Sequence, residues 1–304
     1  MSDFDAPEPP GTNAPYAPYA PIAPPPRRKF DHGTAIRPIV LFLLTVLTTT
    51  TSGCWALPSI DGALYAVAIL TILGAHEFGH YFACRWHNVD CTLPHFLPAP
   101  LPLTGTLGAV IKIREPFPSR AALFDIGVAG PLAGFVALLP FLIAGIWMSD
   151  IAPLPEEPGT MFLGEPLLFK ALARFIHGPL GDNMDIMIHP LGFGAWFGML
   201  ATALNLLPFG QLDGGHIAYS VFGNRSVWIS RVTLAVVIGL SVLATSWIAM
   251  AVMLSAMTWF VGLRHPQPYD DFTPLSKGRL VVAFIALLIL IGCFTPTPIT
   301  FAWE

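Results

Sequence analysis

The sequence predicts an all-α polytopic membrane protein with about seven transmembrane helices, and three observations carry that expectation. Of the 304 residues, 54% are hydrophobic and only 11% are charged, with a mean hydropathy of +0.64. That is too apolar and too poor in surface charge for an ordinary soluble domain. The apolar residues gather into stretches of about 20, the length a helix needs to cross the hydrocarbon core. Lys and Arg collect in alternate connections between the stretches, as they do where one side of a membrane is the cytoplasm.

Residues 1–35 form a Pro/Ala-rich segment with acids at Asp3, Asp5 and Glu8 and no apolar core before Arg27. This is not the pattern of a signal peptide, and a disordered, partly polyproline-II cytoplasmic tail is expected. Ile36 to Leu57 is the first span, and Leu64 to Arg85 is the second. Only Pro58 to Ala63 separates them, so they should form a tight helical hairpin. Cys91 to Glu115 is apolar but carries Pro94, Pro98, Pro100 and Pro102, which rule out a spanning helix. Within it, Thr106 to Arg114 alternates like a strand, with Leu107, Ala109, Ile111 and Ile113 on one face. Ala121 to Met148 is the third span. Pro166 to His177 fits an amphipathic helix lying on the outer surface, with Leu167, Leu168, Ala171, Leu172, Phe175 and Ile176 on one side. Leu191 to Leu207 is a shorter fourth span, stopped by Pro208 and Gly210, which favour a broken helix there. Trp228 to Leu263 is too long for one crossing and is expected to turn near Thr245-Ser246. Leu280 to Thr295 is the seventh span.

With the N-terminus in the cytoplasm, Arg27, Arg28, Lys29, Arg37, Arg85, Lys112, Arg114, Arg120, Arg225, Arg231, Arg264, Lys277 and Arg279 all fall inside. Only Lys170 and Arg174 fall outside, among the acids Asp61, Asp150, Glu156, Glu157, Glu165, Asp182 and Asp185. The C-terminus is then outside, and the setting expected is a multi-pass protein of a bacterial inner membrane, partnered by the lipid bilayer. The net charge of −4 brings no basic stripe, which argues against a nucleic-acid partner. Cys54, Cys84, Cys91 and Cys293 form neither a Cys-x-x-Cys pair nor a disulfide framework, so apolar packing is their expected role.

Inside the second span lies Gly74-Ala75-His76-Glu77-Phe78-Gly79-His80. Residues four apart share a helix face, so His76 and His80 can offer two imidazoles to one ion, with Glu77 placed to act as general base on a water. The competing reading is a buried polar cluster that glues helices together. His76 precedes Arg85 by nine residues, roughly 14 Å along the helix, which puts the motif in the inner half of the membrane. Catalytic zinc takes three protein ligands and leaves a position for water. The third donor is sought in Asn205-Leu206-Leu207-Pro208-Phe209-Gly210-Gln211-Leu212-Asp213-Gly214-Gly215. Asp213 is preferred because intramembrane carboxylates are functional by default, and His216 is its competitor. Asn205 is either a helix-packing amide or a donor to a reacting carbonyl or an ordered water. His87 and His95 near the inner mouth are taken as ordinary polar residues.

His76-Glu77-x-x-His80 followed by Asn205-x-x-Pro208-x-x-x-Leu212-Asp213-Gly214 resembles the paired signatures of the site-2 protease family, the intramembrane zinc metalloproteases. Phe124-Asp125-Ile126-Gly127-Val128-Ala129-Gly130-Pro131-Leu132-Ala133-Gly134 resembles that family's small-residue helix beside the metal. The resemblance covers about residues 60 to 220 and implies a zinc ion held by His76, His80 and Asp213, with Glu77 as catalytic acid/base. It further implies a membrane-dipping β-hairpin before the third span and substrates that are transmembrane proteins or peptides cleaved within or near the bilayer. Residues 36–220 would then be the catalytic membrane core and 221–304 the C-terminal transmembrane helices. The 41 residues from Ser149 to His189 are too few for a PDZ domain, and Arg264 to Lys277 leaves no room for a CBS domain, so the compact form is expected. A secondary transporter and a non-catalytic zinc-binding scaffold are the rivals from other classes. The oligomeric state is left open.

Overall fold

The computed structural model describes residues 35–51, 59–101, 103–154, 159–181 and 183–301. The N-terminal tail, the end of the first expected span (residues 52–57), Cys54, Glu156, Glu157 and Asp182 lie outside the described residues. Helix α1 (Ile36–Thr51) is followed by α2 (Ile60–Trp86), strands β1 (His95–Pro98) and β2 (Thr106–Val110), and α3 (Arg120–Trp147). Next come β3 (Asp150–Pro153), β4 (Met161–Leu163), α4 (Leu167–His177), β5 (Met184–Met187) and α5 (Pro190–Leu206). The chain continues through α6 (Asp213–Phe222), α7 (Ser226–Leu243), α8 (Ile248–Phe260), α9 (Lys277–Cys293) and β6 (Ile299–Phe301). Among the described residues, three helical stretches are long and apolar enough to cross a membrane: Ile60–Trp86, Arg120–Trp147 and Asp213–Leu243, the last divided by a 3-10 turn at Gly223–Arg225.

Local chemistry explains the boundaries. Ser59 and Ser119 cap α2 and α3, their hydroxyls accepting from Gly62 N at 3.0 Å and Ala122 N at 3.1 Å. The threonine run ending α1 is accommodated in an apolar helix because Thr45, Thr49, Thr50 and Thr51 donate to carbonyls four residues back, at 2.7–2.8 Å. The expected turn near Thr245-Ser246 is a 3-10 turn over Thr245–Trp247 between α7 and α8.

Helices α2, α3 and α5 make the centre. Tyr65, Ile69 and Ile72 from α2 pack with Phe124, Leu138 and Leu142 from α3 and with Phe193, Trp196 and Met199 from α5. At one end of this bundle Arg279 of α9 grips Asp125 of α3 with two parallel bonds, Nε to Oδ1 at 2.8 Å and Nη2 to Oδ2 at 2.7 Å. His87, which caps α2, reaches the same Asp125 Oδ2 at 2.9 Å. At the other end β3 pairs with β5 and β4 with β6, both antiparallel, so the chain beyond α9 returns to the end where α3 stops.

β1 and β2 form an antiparallel ribbon with His95 opposite Val110 and Phe96 opposite Ala109. Phe96 meets Phe42 of α1 edge-on at 5.0 Å between ring centres. The regular strand stops at Val110 rather than Arg114, although Cys91 still bridges Ile113. Leu107 does not share the inward face with Ala109, Ile111 and Ile113: it is 68% exposed. Gly108, at φ 102°, breaks the alternation between Leu107 and Ala109. On α4, Phe169 and Ala173 are buried while Leu167 and Phe175 point outward, so the apolar side expected there is split between the bundle and the exterior.

Replacing Arg279 with Met should cost about 1–2 kcal/mol, the value of an ion pair with side chains 33% and 29% exposed after solvent screening. Denaturant unfolding in detergent measures it; an unchanged midpoint would show that α9 is held by its apolar face alone.

Candidate metal centre

The α-helical period puts His76 and His80 on one face of α2, and that face is turned toward α3 and the start of α6. His76 Nε2 lies 3.1 Å from Asp213 Oδ2 and 3.1 Å from His80 Nε2, and the third side of the triangle, His80 Nε2 to Asp213 Oδ2, is 3.3 Å. Among the described residues this is the one group of three His, Cys, Asp or Glu side chains drawn together closely enough to hold a metal ion. Both histidines are buried and the Asp213 side chain is 15% exposed.

The chemistry of the three atoms fits a cation. His80 Nδ1 is 2.7 Å from the Ile126 carbonyl oxygen, which can only accept, so Nδ1 carries a proton and a neutral His80 presents a bare lone pair at Nε2. Asp213 Oδ2 is also a lone-pair donor. With His80 neutral and Asp213 ionised, at most one proton, on His76 Nε2, is shared by the three mutually adjacent atoms. The spacing agrees, because ligands bound at about 2.0–2.1 Å in tetrahedral geometry stand about 3.3 Å apart. A divalent ion satisfies all three atoms at once.

Helix α3 makes this packing possible by what it lacks. A Cβ at Gly130 would overlap the His80 ring, and one at Gly134 would stand 3.1 Å from His76 Cβ and 3.3 Å from its Nδ1. The small residues therefore bring the α3 backbone against both imidazoles, and the Ile126 carbonyl, one turn before Gly130, receives the His80 proton.

Glu77 follows His76 and is 8% exposed. Among the described residues it makes no side-chain hydrogen bond to a neighbouring helix; the backbone amide of Ile111, just past β2, interacts with its carboxylate. Asn205 stands in the last turn of α5, half-buried, with its amide free of hydrogen bonds among the described residues. Asp213 is the first residue of α6, reached through the linker at Leu207–Leu212. His216, its rival as third donor, turns away from the cluster: its Nδ1 is 2.6 Å from His265 Nε2. His87 is bound to Asp125, and His95 Nδ1 donates to the Leu93 carbonyl at 2.7 Å, so neither enters the cluster. The Ile126 carbonyl, the Ile111 amide and His265 were not singled out from the sequence; the first two are backbone groups, which carry no residue signal.

A family model described as Peptidase family M50 matches residues 64–246. The chain is similar to "Probable zinc metalloprotease EGY1, chloroplastic" of Arabidopsis thaliana, 30% identical over 252 residues, or 79% of this chain and 44% of that protein. It is similar to "Probable zinc metalloprotease EGY2, chloroplastic" of Oryza sativa subsp. indica, 33% identical over 247 residues, 80% of this chain and 44% of that protein. A third relative is "Probable zinc metallopeptidase EGY3, chloroplastic" of Arabidopsis thaliana, 31% identical over 242 residues, 74% of this chain and 40% of that protein. The chain spans less than half the length of these relatives.

Gly130→Ala should drive the His80 ring out of the triangle and weaken divalent-metal binding by about tenfold or more while helix content is kept. Titration with cobalt(II), followed by its visible absorption, together with circular dichroism checks this; a tetrahedral spectrum at unchanged affinity would contradict the packing described.

Proposed function

The chain belongs to peptidase family M50, and on that premise we propose that it is an intramembrane zinc metalloprotease that hydrolyses peptide bonds in or near transmembrane segments of membrane-protein substrates. The convergence of His76 Nε2, His80 Nε2 and Asp213 Oδ2, with Glu77 alongside on an apolar helix, carries the reading. Zinc held by these three residues would supply Lewis acidity, making a water acidic near neutral pH and polarising a carbonyl. Glu77 takes the proton of the attacking water and returns it to the departing amide nitrogen. The free Asn205 amide is suited to donate to the carbonyl oxygen of the bond being cut.

Access for a lipid-embedded substrate is supported by a lateral apolar groove of about 870 Å³ between α1 and α2, closed at one side by Phe96 of β1. Its lining includes Gly74, Ala75 and Phe78, the residues that flank His76 and Glu77. A helical substrate has its carbonyls tied in hydrogen bonds and must unwind before attack. Strand β2 pairs with β1 alone in its sheet, and its other edge can receive the unwound segment by backbone pairing.

Seven crossings, α1, α2, α3, α5, α7, α8 and α9, accommodate this chemistry, with α4 along the outer surface and β1–β2 dipping into the membrane. In this arrangement residues 36–220 are the catalytic core, 221–304 supply further spanning helices, and the N-terminus faces the cytoplasm of a bacterial inner membrane. The grouping of Arg85, Arg120, Lys277 and Arg279 near the motif's end of the bundle favours that orientation and cutting toward the cytoplasmic side.

Glu77→Gln should keep the zinc but reduce cleavage about 10²–10⁴-fold, the usual contribution of a general acid/base. Asp213→Ala should lose metal and cleavage together. Metal analysis of the purified variants, with comparison of membrane proteomes for tail fragments released into the cytoplasm, reads both; cleavage by Glu77→Gln at the wild-type rate sinks the assignment. Ile111→Pro removes the amide beside Glu77 and should abolish cleavage with zinc content intact, whereas unchanged cleavage takes the ribbon out of the mechanism.

A further inference from the structure

Residues 261–276, between α8 and α9, lie against the inner end of the bundle and are bound there by an unusual density of polar contacts. Tyr269 N donates to Phe117 O at 3.0 Å, Asp270 N to Pro118 O at 3.1 Å, and Arg120 N back to Asp270 O at 2.9 Å. Asp270 Oδ1 also accepts from Phe272 N and Thr273 N, both at 3.1 Å, which fixes the turn that carries Asp271. Asp271 is therefore presented in a set position. Its Oδ1 accepts from Arg120 Nε at 3.2 Å and Nη2 at 3.0 Å, and its Oδ2 accepts from Tyr219 Oη at 3.0 Å.

The second attachment is His265. Its Nδ1 is 2.6 Å from the Pro266 carbonyl oxygen and so carries the proton. Burial pushes His265 below the usual imidazole range, which keeps it neutral. Its Nε2 is then a lone pair, and the 2.6 Å contact with His216 Nδ1 is a bond donated by His216. The His265 ring also stacks on Tyr219, 4.6 Å between centres and 23° between planes.

Asp213, His216 and Tyr219 are spaced three apart on α6, successive positions along one side of the helix. The first enters the metal triangle and the next two are held by the segment. Helix α6 has 10 residues, follows a broken linker and leans on α3 at Gly127; outside the triangle, its side-chain hydrogen bonds to other elements among the described residues are those to the segment. At the Cα radius of about 2.3 Å, and further out along the side chain, a rotation of about 20° moves a carboxylate oxygen by about 1 Å or more, enough to open a ligand triangle.

We propose that residues 261–276 act as a strap that sets the rotation of α6, with His265 and Asp271 as positioning residues for the Asp213 ligand. Neither residue is in the metal triangle. The inference rests on the metal-centre reading above and adds to it the elements that hold the third ligand in register.

The test is zinc affinity, measured by chelator competition on the full-length protein in detergent, alongside thermal unfolding. His265→Ala removes the acceptor for His216 and should weaken zinc binding about tenfold, the low end for partners behind a metal ligand. His265→Gln, whose Oε1 can take the place of Nε2, should bind zinc within about threefold of wild type. Phe272→Ala removes only an exposed side chain (94%) and keeps the backbone amide that bonds Asp270, so it should leave affinity unchanged. If His265→Ala does not fold, Tyr219→Phe serves instead: it keeps the stacked ring, loses the bond to Asp271 and should weaken zinc about threefold. An affinity equal to wild type in a folded His265→Ala or, failing that, Tyr219→Phe overturns the strap. A wild-type protein that takes up no zinc, or a Phe272→Ala loss as large as that of His265→Ala, overturns respectively the metal centre and the specificity of the strap.

Discussion

Three lone-pair donors held within 3.3 Å of one another among buried side chains are the constraint on which the rest of the structure depends. Electron-rich atoms at that distance repel unless a cation or protons lie among them, and the repulsion grows as the local dielectric falls. Helices α2, α3, α5 and α6 must therefore be braced so that the donors cannot drift apart before the ion is bound. The apolar contact of α2 with α3 and α5 does most of that bracing.

The brace is asymmetric about the site. Toward one end, side chains such as Tyr65, Phe193 and Trp196 interdigitate, and the packing is hydrophobic. Beside the imidazoles α3 offers Gly130 and Gly134, where large side chains would collide with the rings. Toward the opposite end, the ties are Arg279 to Asp125 and Arg120 to Asp271. Charged pairs suit that end because their side chains stay 20–33% exposed, so less desolvation opposes them than at a buried site.

How much of this was legible follows from the kind of contact involved. His76 and His80 were readable because a local period places them, and Asp213 was preferred to His216 because intramembrane carboxylates are functional by default. The long apolar helices and the turn near Thr245 were readable from apolar length, whereas the short helix α6 was not. What holds His216 away from the triangle was not readable either, since it is a histidine 49 residues further along the chain. Leu107 was misplaced because one glycine with positive φ reverses the side on which the following residues point. The alternation rule assumes an unbroken pleat. The proton acceptor for His80 is a main-chain carbonyl, which no residue type announces.

Under the protease reading, the same apolar setting that protects the triangle also decides which peptide can react. A substrate that stays helical keeps its carbonyls bonded and its scissile group out of reach, and in lipid it has no water with which to exchange those bonds. Unwinding becomes feasible only where replacement donors and acceptors are already in place. The free edge of β2 and the Ile111 amide beside Glu77 are such groups, and they belong to the same stretch of chain. Selection by ease of unwinding would then fall on the substrate's backbone before any of its side chains is read. On that reading no side-chain pocket is needed at the triangle, and a groove lined by Gly74 and Ala75 is consistent with that economy.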